Sequence, residues 1–221
     1  MTGYNIANRE DVEWSNSWYD DANRFNPERI LMVGDSTLRE LRGTMKEMSG
    51  KPVDFYGCSY SFRDPLFEKG LKCFLEGTPY DRYDSVYLQL GNHGRIGLNG
   101  RDWEDEDDRM YMEGYRTCVD VLKEFSSNII VVPAFYICKP WKHFNRFKLM
   151  LRIPDKYDEK ENVIVRQRNQ LIRNFAVTNG LEFRDLTSYM EKSHFVRKDH
   201  IHFQNSSKKF QTEYLIATNY E

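Results

Sequence analysis

The sequence has no excess of positive charge: 32 Lys and Arg stand against 34 Asp and Glu, a net charge of -2 over 221 residues. Without a basic field it has no general means of holding a polyanionic backbone, so nucleic acid is not an expected partner. Cysteine is scarce, and Cys58, Cys73, Cys118 and Cys138 are scattered without metal-ligand spacing. They are expected to be reduced, buried thiols packing as small hydrophobes, with no metal site. No apolar run reaches the length of a membrane span, and the opening "MTGYNIANREDVEW" lacks the apolar core of a signal peptide. The expectation is a cytoplasmic chain with no membrane partner. Internal repeats and low-complexity tracts are absent too, which removes solenoids and disordered linkers.

What is present is an alternation of short apolar runs and helical periodicities. Residues 1–27 are polar and aromatic without a sustained period and are expected to form an irregular arm. After Pro27, "RILMV" is an unbroken apolar run of strand length, as in a sheet covered on both faces. Leu38, Leu41, Met45 and Met48 then recur at helical spacing up to Gly50. Further strands are expected at "VDFYG", "SVYLQLG", "NIIVVPAF" and "LEFRDL", separated by helical patterns that include Phe67 to Leu75, Tyr111 to Phe125 and Ile164 to Phe175. A closing helix is expected within "NSSKKFQTEYLIATNY". Five strands spaced this way predict an α/β three-layer sandwich with a mostly parallel, flavodoxin-like sheet, in one domain over 28–221. Two segments stand apart. The acidic "EDEDD" at 104–108 is expected to be a solvated helix start. The stretch 139–160 is a candidate lid loop, with Trp141, Phe144 and Phe147 set among basic residues.

Parallel sheets bind ligands beyond the carboxyl ends of their strands, and four segments fall there: "VGDST", "YGCSYS", "LGNHG" and "RKDHIHF". Ser36 enters a helix start, where backbone N–H groups are unpaired and can meet developing negative charge. Asp199 and His202 are three residues apart, a spacing that lets a carboxylate orient an imidazole while the other ring nitrogen takes a proton from a serine hydroxyl. His200 competes for the base role, but it points to another side of the local backbone. A crowded His194, Asp199, His200 and His202 group permits a metal reading, which the triad explains better. Oxyanion donors would come from the N–H of Ser36, the N–H of Gly57, and a side chain of Asn92 or His93. Arg39, Tyr60, Arg95 and Trp141 are candidate substrate contacts on the rim.

On these four segments the chain resembles the SGNH, or GDSL-type, hydrolase superfamily from about residue 29 to its end. The resemblance implies Ser36 as nucleophile, the Gly57 amide in the oxyanion hole, and Asp199 and His202 as carboxylate and base. The third block departs from the family's Gly-x-Asn-Asp, since counting from Gly91 puts His93 at the Asn position; a one-residue shift brings in Asn92. Some carbohydrate O-acetyl esterase and acetyltransferase branches are similar in having Gly-x-His and an Arg soon after the serine, here Arg39. The implied activity is removal of a small acyl group, such as acetyl, from a carbohydrate-like ester, with no cofactor. An O-acetyltransferase, a lipase or thioesterase, and a binding domain that keeps the fold with Ser36 and His202 misaligned are the alternatives.

Overall fold

A computed structural model describes residues 14–24, 26–59, 64–93, 104–139, 156–193, 195 and 197–217. Among these residues the sheet has six strands: β1 (Ser15–Trp18), β2 (Ile30–Gly34), β3 (Val53–Cys58), β4 (Ser85–Gln89), β5 (Ile129–Val131) and β6 (Glu182–Phe183). Their order is β1-β3-β2-β4-β5-β6. The five from β2 to β6 run parallel, as the apolar runs predict, and β1 lies antiparallel on the edge against β3. The expectation of an irregular arm is therefore corrected at Ser15–Trp18. This strand is mostly exposed and has no apolar alternation, so periodicity could not reveal it.

The helices among the described residues are α1 (Ser36–Arg39), α2 (Arg42–Ser49), α3 (Pro65–Glu76), α4 (Asp105–Lys123), α5 (Glu159–Thr178), α6 (Leu186–Lys192) and α7 (Lys208–Ile216). Each face of the sheet carries its own core. On β2, Leu31 and Val33 pack with side chains of α3 and α4, while Ile30 and Met32 pack with α2, α6 and α7. This alternation makes the middle of a three-layer sandwich. Helix α5 sends Ile172 and Ala176 into the first core and Val165 into the second. Among the described residues no helix is long and apolar enough to cross a membrane.

The periodicity from Leu38 to Gly50 predicts one helix, but the chain forms two, interrupted at Glu40 and Leu41. The second ends at Gly50 in the left-handed conformation (φ 68°). Helix α6 was not foreseen; Asp185 caps it by accepting the Ser188 N–H at 3.0 Å. The acidic run does open α4, with Glu104, Asp105 and Glu106 exposed. Asp107 is instead buried, accepting the Glu104 N–H at 3.1 Å. Of the cysteines, Cys73 is exposed at the surface of α3, contrary to expectation, and the other three are buried.

At the end of the sheet opposite the carboxyl edge, Arg29 and Asp54 form an ion pair whose side chains are both 0% exposed. Asp54 also accepts the Asp20 N–H at 2.8 Å and the Tyr83 hydroxyl at 3.1 Å, and the Arg29 guanidinium lies 3.9 Å from the centre of the Tyr80 ring. Four chain segments meet on one carboxylate. Replacing Asp54 by Ala leaves Arg29 buried without it and is expected to cost about 3–5 kcal/mol of stability, measured by urea unfolding. A loss of about 1 kcal/mol or less, the scale of an exposed pair, would show that Arg29 finds other solvation.

Candidate active site

The two neighbours of β2 are β3 and β4, reached by connections leaving on opposite sides, so a crevice opens beyond the end of β2. Gly34 ends that strand. A Cβ there would meet the Gln89 carbonyl oxygen and the Leu38 Cβ, each at 2.8 Å, so only glycine lets α1 turn back so tightly. Asp35 is fully buried and caps α1, its Oδ1 accepting the Thr37 N–H at 2.9 Å. The Thr37 hydroxyl lies 2.6 Å from that oxygen and 3.0 Å from Gln89 Oε1, and Gln89 Nε2 donates to the Pro133 carbonyl at 2.9 Å. This network joins the ends of β2, β4 and β5 and fixes Ser36 as the first residue of α1.

The second half of the site is a tight loop near the C-terminus. An antiparallel bridge pairs Arg197 with Phe203, and the Lys198 N–H donates to the His202 carbonyl at 2.8 Å. The buried Arg197 guanidinium donates to the Ile201 carbonyl at 2.9 Å and to Glu191 Oε1 at 2.6 Å. Glu40, just after α1, pairs with Lys198 and, at 3.5 Å, with Lys208, which draws this loop against the Ser36 turn.

The two halves meet through one chain of contacts. His202 Nε2 is 2.8 Å from Ser36 Oγ, and His202 Nδ1 is 2.9 Å from Asp199 Oδ2. Asp199 Oδ1 also accepts the backbone N–H groups of His202 at 2.7 Å and Ile201 at 2.9 Å. Burial raises the Asp199 carboxyl, but the His202 ring and these two N–H groups outweigh it and hold the carboxyl far below the usual carboxylate range. An ionised Asp199 keeps the proton on Nδ1 and leaves Nε2 as the acceptor facing the serine. Such a chain can generate a serine nucleophile. His200 takes no part in this chain of contacts: it is exposed, and its carbonyl accepts the Cys138 N–H at 2.8 Å.

Asn92 is 4% exposed, and among the described residues neither Oδ1 nor Nδ2 has a hydrogen-bond partner. A buried amide left unpaired costs about 1–3 kcal/mol, so such a group ordinarily meets a bound water or a ligand group. Its loop is held from behind by Arg168 of α5, which donates to the Gly91 carbonyl at 2.8 Å and the His93 carbonyl at 3.0 Å. Two neighbours of Arg168 on the same helix act similarly. Asn169 pairs with the N–H and carbonyl of Ala134, and Asn162 with those of Ile137, at 2.7–2.9 Å. The sequence reading missed all three. Their signal was polar residues set in the buried stripe of Val165, Ile172 and Ala176.

Gly57 is placed differently from expectation. It lies within β3, where a Cβ would come within 2.1 Å of the Gly34 carbonyl oxygen. The Ser59 N–H donates to the Trp14 carbonyl, so by antiparallel alternation Asn16 and Gly57 form the next bonded pair. The Gly57 N–H therefore faces β1, and its smallness serves strand packing. His93 is half-buried, its ring meeting Trp14 edge-on at 6.4 Å. Arg39 lies over Trp14, 4.7 Å from the ring centre. Tyr60, Arg95 and Trp141 lie outside the described residues, as do His194 and most of the 139–160 segment. The ends of that segment are joined by a bridge of Cys138 with Tyr157 and by the Lys139 N–H donating to the Lys156 carbonyl at 2.8 Å.

No family model matches the chain, and no curated protein matches it. Solved structures do. A lipolytic protein of the G-D-S-L family from Veillonella parvula superposes with a TM-score of 0.60 at 13% identity, covering 87% of this chain and 100% of the other. An acetylxylan esterase from Geobacillus stearothermophilus gives 0.55 at 14% identity, over 86% of this chain and 92% of the other. A GDSL-like lipase from Bacteroides thetaiotaomicron gives 0.55 at 10% identity, over 86% and 85%. At these identities the likeness establishes the fold, which is that of GDSL-type lipases and esterases.

The lowered Asp199 pKa has a defined sign. Its stabilising contribution is complete above the unfolded carboxylate value of about 3.9 and is lost only as pH falls through the lower native midpoint. Carbon-13 titration of the Asp199 carboxyl is expected to give a midpoint well below the ordinary value, moving upward in His202→Ala. An unmoved midpoint would mean that the His202 ring does not contribute to the shift.

Proposed function

We propose that the protein is a serine-dependent esterase that removes a small acyl group, most simply acetyl, from a carbohydrate-like substrate. The observation that carries this reading is the unbroken Ser36, His202, Asp199 chain, with contacts of 2.8 and 2.9 Å. In the first half-reaction Ser36 Oγ attacks the ester carbonyl as its proton passes to His202 Nε2. The carbonyl electrons move onto the oxygen, which the Ser36 N–H and the Asn92 side-chain amide would receive. Collapse of the tetrahedral species expels the alcohol, protonated by His202, and leaves Ser36 acylated. Water then attacks the acyl carbon, giving its proton to His202, and the second collapse releases the acid and restores the serine. Asp199 remains ionised and holds the ring orientation throughout. The cycle needs no cofactor.

Hydrolysis is favoured over transfer by exposure: the Asp199 side chain is 39% and the His202 side chain 18% exposed, so water reaches the base directly. A binding domain that had lost its chemistry would be expected to separate the serine from the histidine, and their contact argues against it. The carbohydrate ester is supported by the match to an acetylxylan esterase.

The test is acetate release from 4-nitrophenyl acetate between pH 6 and 9. Ser36→Ala and His202→Ala, with folding checked, are each expected to lower kcat by about 10³-fold or more. Asn92→Ala is expected to cost about 10²–10³-fold through the oxyanion. Equal release by all the proteins, or none by the native one, would overturn the serine mechanism.

A further inference from the structure

The residues beside Ser36 include a cation with no counter-ion among the described residues. Helix α1 buries Thr37 and Leu38, which leaves Ser36 and Arg39, three positions apart, on its outward side. The adjacent carboxylate, Glu40, is taken by Lys198 and Lys208. Among the described residues Arg39 itself makes no ion pair. It lies instead against Trp14, with its guanidinium carbon 4.7 Å from the ring centre.

Trp14 is held in place. Its N–H donates to Ser59 Oγ at 2.9 Å, its carbonyl accepts the Ser59 N–H at 3.0 Å, and its ring meets His93 edge-on. Trp14, just before the edge strand, thus lies at the carboxyl edge of the sheet and spans from the serine helix to the Asn92 loop. An arginine laid on an aromatic ring loses side-chain freedom before a ligand arrives, while the N–H groups in its plane stay available to paired oxygens.

We infer that Arg39, stacked on Trp14 beside Ser36, is a subsite for an anionic oxygen group on the substrate, a sugar carboxylate or phosphate. This deepens the esterase reading and rests on it for the identity of the nucleophile: the anion fixes the sugar while the ester one helix turn away meets Ser36. The chemistry is recognition by a fixed planar cation, so the enzyme selects acidic sugar esters over neutral ones.

Binding and turnover test this separately. Glucuronate, glucose 6-phosphate and glucose are titrated by calorimetry into the Ser36→Ala protein, alone and combined with Arg39→Gln or Trp14→Ala. At least one anionic sugar is expected to bind more tightly than glucose, and Arg39→Gln to remove about tenfold to hundredfold of that affinity, the scale of a charge-assisted contact. Which anion binds distinguishes carboxylate from phosphate. Trp14→Ala is expected to weaken the same ligand less. In the otherwise native enzyme, Arg39→Gln is expected to lower the kcat/KM ratio of acetylated glucuronate (or acetylated glucose 6-phosphate) to acetylated glucose by a similar factor. Anionic and neutral sugars binding alike, or an affinity unmoved by Arg39→Gln in a folded protein, would overturn the subsite. Absent turnover of 4-nitrophenyl acetate by the native protein would instead overturn the esterase reading, and the binding result would stand on its own.

Discussion

The contact between Ser36 and His202 joins residues 166 positions apart, and everything else in the site is arranged around keeping it short. A hydrogen bond of 2.8 Å tolerates little displacement of either side, so the turn after β2 and the loop before α7 must each be rigid and mutually fixed. The turn is rigid because Gly34 admits no side chain and because Asp35, Thr37 and Gln89 tie it to the neighbouring strands. The loop is rigid because Arg197 fills it from within. The two are joined by Glu40, which pairs with lysines on both sides of His202 in the sequence. None of these residues needs to touch a substrate.

Helix α5 extends the same logic to the loops after β4 and β5. A parallel sheet satisfies its backbone within the strands, but the chain leaving a strand end loses its partner and must find another. Asn162 and Asn169 supply it by presenting a donor and an acceptor together, as an adjoining strand would. Arg168, with only donors, suits the paired carbonyls of Gly91 and His93 on either side of Asn92. These residues replace apolar packing with directional bonds at the end of the core where loop position matters.

The five parallel strands and the Ser36, Asp199 and His202 positions were legible because both rest on short-range pattern. Apolar runs identify buried strands, and a carboxylate three residues before a histidine limits their geometry to a few arrangements. What escaped the sequence depends on distant partners. The edge strand β1 has no alternation of its own and exists through pairing with β3. Gly57 matched a motif, yet its register beside Gly34 and Asn16 is a property of two other strands. The choice between Asn92 and His93 was open in "GNHG" because local spacing cannot tell which side chain is buried and unpaired. Asn92 is the more buried of the two, and among the described residues its amide has no partner, which is why the proposed mechanism uses it.

Buried polarity is used in two opposite ways in this molecule. Asp54 collects donors from Arg29, Asp20 and Tyr83 at the end of the sheet away from the serine, so its charge is fully accounted for within the protein. Asn92, at the carboxyl edge, is nearly as withdrawn from water, and among the described residues no donor or acceptor is matched to it. The same desolvation that would make Asp54 destabilising without its partners would, in the proposed mechanism, make Asn92 a strong donor toward an oxygen that reaches it. An amide solvated by water would have to lose that water before meeting developing charge, whereas one already stripped of solvent has no such reorganisation to undergo. Burial without a partner would be a structural fault at one end of the sheet and is, in the proposed mechanism, the source of oxyanion stabilisation at the other.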